Sequence, residues 1–145
     1  MINNTKDLSK EAPRSPKLQL DGFVIIARTI DKCRATIAGT PGEYHFDCPL
    51  DNTLFSFKGI KGADFKAFVE TGADDVAIVE WVKTHGTPKT DAEIAAWVEV
   101  ASKEAFADNV DKRAWLLGEL KRVGLPESAT LFDYLDADDA QSFTK

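Results

Sequence analysis

Apolar residues recur along this chain at helical spacing, and the longest such stretch comes early. Phe23, Ile26, Ala27, Ile30, Cys33 and Ile37 follow the i, i+3, i+4, i+7 rule. They predict one buried stripe on a helix from about Leu20 to Ala38, stopped by Gly39. Val24, Ile25 and Ala35 flank that stripe, so the helix reads as central to the fold, with Arg28, Asp31 and Lys32 partly enclosed. Ahead of it, Pro13 and Pro16 each restrict the preceding residue to extended geometry. Residues 1–17 are therefore expected to form an extended arm, pinned to the body by Leu18 and Leu20.

Downstream the same periodicity continues. Thr40 to Asp47 reads as a return with Pro41-Gly42 as its turn, and Cys48-Pro49 as a helix start, because proline is favoured at the first helical position. Further helices are predicted at about 49–58, 62–71, 74–85, 91–107, 110–123 and 137–143. Gly72, Gly86 and Gly124 stop three of them, and Thr90-x-x-Glu93 is a capping box opening another. Trp81, Trp97 and Trp115 fall within helical stripes. Alternation with period two is absent for any length, and Gly42–Phe46 is the one weak candidate for a strand. The expectation is an all-α fold: one domain of six to eight helices around the first helix. Its parts would be the arm (1–17), a motif-bearing core (18–86) and C-terminal helices (87–145).

Composition narrows the function classes. With 43% apolar and 29% charged residues, the 145-residue chain has the balance of a soluble globular domain with a real core. A formal charge of −6 repels phosphate backbones and anionic bilayers, so neither nucleic acid nor membrane is expected as a partner. The first residues lack the apolar segment of a secretion signal, and the run Phe23–Ala27 is too short to span a bilayer. A cytoplasmic location is expected, with Cys33 and Cys48 as thiols and the chain a monomer or homodimer.

Specific chemistry concentrates between Arg28 and Asp51, which holds both cysteines and one of the two histidines. Arg28, Asp31 and Arg34 stand three apart, the spacing at which helical side chains meet. Arg34 falls at the edge of the apolar stripe, where an unpaired guanidinium is costly. It therefore calls for a buried acidic partner or an anionic ligand. Cys48 at a helix start has the helix dipole and free amides that favour a thiolate, and His45 could pair with it as a base. The inert alternative makes Cys48 or Asp47 a plain N-cap. A zinc set of His45, Cys48, Cys33 and Asp47 or Asp51 matches no standard spacing, so neither a metal nor a cofactor is expected.

These pieces can meet. The helix from Phe23 to Ala38 is about 24 Å long, and nine extended residues span roughly 30 Å. The return can thus bring Tyr44–Asp51 back beside Arg28–Arg34. In the resulting site Arg28 and Arg34 would hold a small anionic ligand and Asp31 would orient them. Tyr44 and His45 would supply hydrogen bonds or proton transfer, Cys48 a reactive thiol, and Asp51 an acceptor. The competing reading is a non-catalytic interaction module, marked by exposed aromatics among Phe65, Phe68, Phe106 and Trp115. Two weaker signals have plainer explanations. Asp136-x-Asp138-Asp139 lacks the glycine and glutamate of a calcium loop and reads as an N-cap with solvated first-turn acids. His85, before Gly86, reads as a helix C-cap.

Five blocks together carry a resemblance: Ser-Pro at 15–16, Leu-Asp-Gly-Phe at 20–23, Arg-x-Ile-Asp-Lys-Cys-Arg-Ala at 28–35, Gly-Glu-Tyr-His-Phe-Asp-Cys-Pro-Leu-Asp at 42–51, and Thr-Leu-Phe-Asp-Tyr-Leu at 130–135. Over essentially the whole chain the sequence resembles the bacterial family called domain of unknown function 5069. The resemblance implies a small cytosolic bacterial protein. It brings no established activity, cofactor or catalytic residue.

Overall fold

The computed structural model describes residues 5–103 and 110–143. Among these the chain is all-α, with seven helices: α1 (Ile26–Ala38), α2 (Pro49–Lys58), α3 (Gly62–Val69), α4 (Asp75–Thr84), α5 (Asp91–Lys103), α6 (Val110–Val123) and α7 (Leu131–Ser142).

Helix α1 is the axis of the fold. It packs against α2, α3 and α4, while α6 and α7 form a second pair beside it. Every residue from Ile26 to Ala35 is buried, charged ones included. The stripe Phe23, Ile26, Ile30 and Cys33 meets Leu54, Phe55, Phe65, Ile78 and Val82 in the main core. A smaller core of Leu116, Leu120, Val123, Leu131 and Tyr134 holds α6 to α7, with Leu50 of α2 packed against it. The stripe ends sooner than the periodicity predicts, since Ile37 is 39% exposed. By that point α1 has passed beyond its neighbours.

The helix also starts later than predicted, at Ile26 rather than Leu20. Asp21 and Gly22 both have positive φ, 51° and 88°. They make a tight turn in which Leu20 and Phe23 exchange backbone hydrogen bonds of 3.0 and 3.1 Å. Asp-Gly favours this left-handed pair over helix. Gly39 closes α1 in the left-handed conformation, as predicted. Proline at the start of α2 and the Thr90–Glu93 capping box are likewise present. Gly42–Phe46 forms turns, and no strand occurs among the described residues.

Helix α7 differs most from expectation. It begins at Leu131, six residues before the predicted start, because Thr130 and Asp133 form a complete capping box. Asp136, Asp138 and Asp139 therefore lie inside the helix rather than at its start. The arm is anchored at Leu20 as expected, packed against the main core, and also by the buried Leu8, Pro13 and Pro16, whereas Leu18 is exposed. Leu8 donates its N–H to Thr40 O at 2.9 Å, and the Leu8 carbonyl lies so close to Gly42 that a Cβ there would collide with it.

Candidate functional site

The polar flank of α1 carries four charges, and each finds partners on a different part of the chain. Arg34 donates to Asp75 of α4 at 3.0 Å and to Ala73 O at 3.1 Å. Asp31 accepts from the backbone N–H of Arg14 at 2.8 Å and from its Nε, while the same guanidinium reaches Asp75 at 2.8 Å. Burial opposes the charged form of Asp75, but Arg14 and Arg34 outweigh it and hold the carboxyl below its ordinary range. Arg34 thus has the acidic partner its position demands.

Arg28 points elsewhere. Its two terminal nitrogens pair with both carboxylate oxygens of Asp139 on α7, at 2.7 and 3.4 Å. The Tyr44 hydroxyl donates to the same carboxylate at 2.7 Å, and the Arg28 guanidinium lies over the Tyr44 ring at 5.4 Å. Burial, reinforced by that hydrogen bond to an anion, pushes the Tyr44 phenol well above its ordinary value. Asp139 is thus a buried partner and not the solvated first-turn acid that the sequence suggested.

Lys32, one turn beyond Arg28, completes the flank. Its Nζ lies 3.0 Å from Asp51 Oδ1 and donates to Cys48 Sγ at 3.1 Å. Asp51 is fully buried; it also accepts from Thr29 Oγ1 at 2.7 Å and from the backbone N–H of Asp47 at 2.8 Å. That last bond holds Asp47 at φ 65° and turns the return limb into α2. Cys48 is the N-cap of α2 but makes no side-chain cap bond, so its sulfur faces Lys32 rather than the first-turn amides it precedes. The thiol takes its hydrogen bond from Lys32, not from His45. Cys33, by contrast, is sealed in the core, and burial pushes its thiol up to about 12.

The Lys32–Asp51–Thr29 contacts pin the return limb to α1. Open space bounded by α1, the limb, Leu8 and Ser9 of the arm, α6 and α7 forms a cleft of about 1200 Å³. Arg28, Lys32, Tyr44, His45 and Cys48 line one wall. Trp115 from α6 and Leu131, Leu135 and Phe143 from the α7 segment line the other. Of the seven expected binding residues, four of these are joined in the cleft: Arg28, Tyr44, His45 and Cys48. Asp51 stands behind Lys32, while Asp31 and Arg34 serve the arm and α4.

Sequence reasoning passed over Lys32 as a cleft-lining group, together with Asp139 and the whole α6–α7 wall. The Arg28–Lys32 spacing of four and the Leu131–Leu135 spacing of four were the available signals. Among the aromatics considered for a partner surface, Phe65 is buried and Phe68 half-buried. Trp115 is 50% exposed but belongs to the cleft, and Phe106 lies outside the described residues. His85 caps α4 as expected, with Nδ1 2.8 Å from Trp81 O. Among the described residues no group of three His, Cys, Asp or Glu is placed to hold a metal ion, and no helix is long and apolar enough to cross a membrane.

Comparison with curated proteins gave no match. The blocks that build the polar flank, the return limb and α7 all lie within residues 10–141, which match the family model described as domain of unknown function (DUF5069), and the chain belongs to that family.

Proposed function

We propose that this protein binds a small anionic molecule in the cleft between the return limb and the α6–α7 pair. One observation carries the reading. Arg28 and Lys32 line the cleft, whereas their acidic partners Asp139 and Asp51 do not. Lys112 adds a third cation to the lining against the carboxylates of Glu43 and Asp138, so the cleft keeps an excess of positive charge. Opposite charge close by in a partly desolvated site is worth more than on an open surface. The mostly apolar lining, the size of the space and the few convergent polar groups also match small-molecule sites in general.

Cys48 stands at the polar wall with its sulfur 3.1 Å from the Lys32 ammonium. This makes Cys48 the candidate nucleophile and His45 the nearby proton carrier. It also supplies a reporter, because an occupant of the cleft covers the thiol.

The test is alkylation of Cys48 by iodoacetamide in the presence of monocarboxylates, phosphate or neutral amides of matched shape. Anions should slow the reaction, less so at high salt and less so in His45→Glu, which adds a negative charge at an exposed wall position. Equal protection by the neutral amides, or none from any anion, would overturn the reading.

A further inference from the structure

We infer that the occupant of the cleft is an amphipathic monocarboxylate, with its head at Lys32 and an extended apolar body along the α6–α7 wall; this rests on the anion-binding reading above. The two walls differ in kind. Arg28, Lys32 and Cys48 supply the polar one, whereas Trp115, Leu131 and Leu135 supply the other. Leu131 and Leu135 stand four apart on α7 and so present one continuous apolar strip. Beside them, half of the Trp115 surface is exposed, and its ring meets Tyr134 edge-on at 5.5 Å. A polar anion alone would leave that wall wet, and a hydrocarbon alone would strand the donors.

The charges and donors of the lining limit the head. An ammonium has three N–H groups. Lys32 donates to Cys48 and stands 3.0 Å from Asp51 Oδ1, so little of its donor capacity remains for a ligand. Arg28 is already engaged by both oxygens of Asp139. Glu43 and Asp138 line the cleft with Arg28, Lys32 and Lys112, so its small excess of positive charge suits a single negative charge and opposes a doubly charged phosphate. A carboxylate asks for few donors and a modest positive potential, and the site offers that.

Calorimetric titration of the full chain with acetate, hexanoate, octanoate, decanoate and decanol, all below micelle formation, tests this directly. Affinity should rise about fourfold with each added methylene, from a transfer free energy of about 0.8 kcal/mol per CH₂. Decanoate should bind at least about tenfold tighter than decanol and protect Cys48 from iodoacetamide. Trp115→Ala, at an exposed position, should weaken decanoate about tenfold while leaving the helical circular dichroism unchanged. If acetate and decanoate bind alike at the cleft, the apolar body is refuted and the anion reading stands. Should decanol equal decanoate, the carboxylate head and the anion reading both fall. Absence of binding by every carboxylate refutes the monocarboxylate, and the anion reading falls with it if phosphate does not protect Cys48 either.

Discussion

Removing the carboxylate of Asp139 should be among the most damaging single changes in this protein. Its Arg28 partner is 3% exposed, and the pair is bidentate across elements separated by more than a hundred residues. In Asp139→Ala the guanidinium stays buried without a counter-charge, which typically costs about 3–5 kcal/mol. The Tyr44 hydroxyl loses its acceptor as well, worth about 1 kcal/mol or more. Set against a total stability of roughly 5–15 kcal/mol, this leaves a marginal fold. For a chain of this size the melting temperature should drop by roughly 8–24 °C, at about 2–4 °C per kcal/mol.

The assay is urea unfolding followed by circular dichroism in a double-mutant cycle with Arg28→Met. Methionine keeps much of the arginine volume and removes the charge, so the double variant Arg28→Met/Asp139→Leu should recover most of the loss. A coupling free energy of at least about 2 kcal/mol is expected, well above the roughly 0.2–1 kcal/mol of a surface pair. If Asp139→Ala costs less than about 1 kcal/mol, or the double variant is simply additive, the guanidinium is hydrated and the argument from burial is wrong.

Three further outcomes follow from the geometry. Native protein should alkylate at Cys48 and not at Cys33, which is fully buried with its thiol pushed up to about 12; equal rates at the two thiols by peptide mass spectrometry would contradict the packing of α1. Asp75 and Asp133 both titrate below their ordinary 3.8, so each adds stability that is complete above that value and lost as pH falls through the lower, folded one. Urea midpoints taken from about pH 7 to about pH 2 should therefore fall below pH 4, and less steeply in Arg14→Gln, which removes a charge that lowers Asp75; a flat acid limb would exclude the contribution. Thr130→Ala should cost about 1 kcal/mol by removing the α7 capping box, and an unchanged urea midpoint would show that the helix is held by packing alone.

What was legible in the sequence was local. Gly39, the Cys48-Pro49 entry and the Thr90–Glu93 box act within one helical turn, and their residue types declare it. The need of Arg34 for a buried acid was also readable, because the charge sits at the edge of an apolar stripe; that the acid is Asp75 was not. Such partners come from tertiary docking, and nothing near Arg28 in sequence points to Asp139. One local signal was passed over: Thr130-x-x-Asp133 has the spacing of the box recognised at Thr90, and reading it would have placed Asp139 two turns into a helix. The opposite error occurred at Leu20–Ile25, where hydrophobic spacing favours helix but Asp21-Gly22 turns the chain with two left-handed residues. There the turn chemistry overrode the periodicity.

The reading of the candidate site turns on what directional contacts add to a core that is otherwise non-directional. Burial of apolar area rewards any arrangement that removes it from water. The apolar face of α1 alone would accept several placements of the arm, α4, α2 and α7. Its polar flank accepts far fewer, since Asp31 takes Arg14 of the arm, Arg34 takes Asp75, Arg28 takes Asp139, and Lys32 takes Asp51. Each pair gains little net stability, because desolvation offsets most of the attraction, but breaking one leaves a buried charge exposed to no compensation. A wrong docking is therefore penalised much more than the right one is rewarded. Two of these pins, at Arg28 and Lys32, also border open space, where the return limb meets the α7 segment through Tyr44 on Asp139 and Phe143. The same charges that fix where α7 docks consequently form the polar wall of the cleft. A ligand held there would bear on the contacts that place α7, so its binding should raise the unfolding midpoint of the whole chain, not of one helix alone.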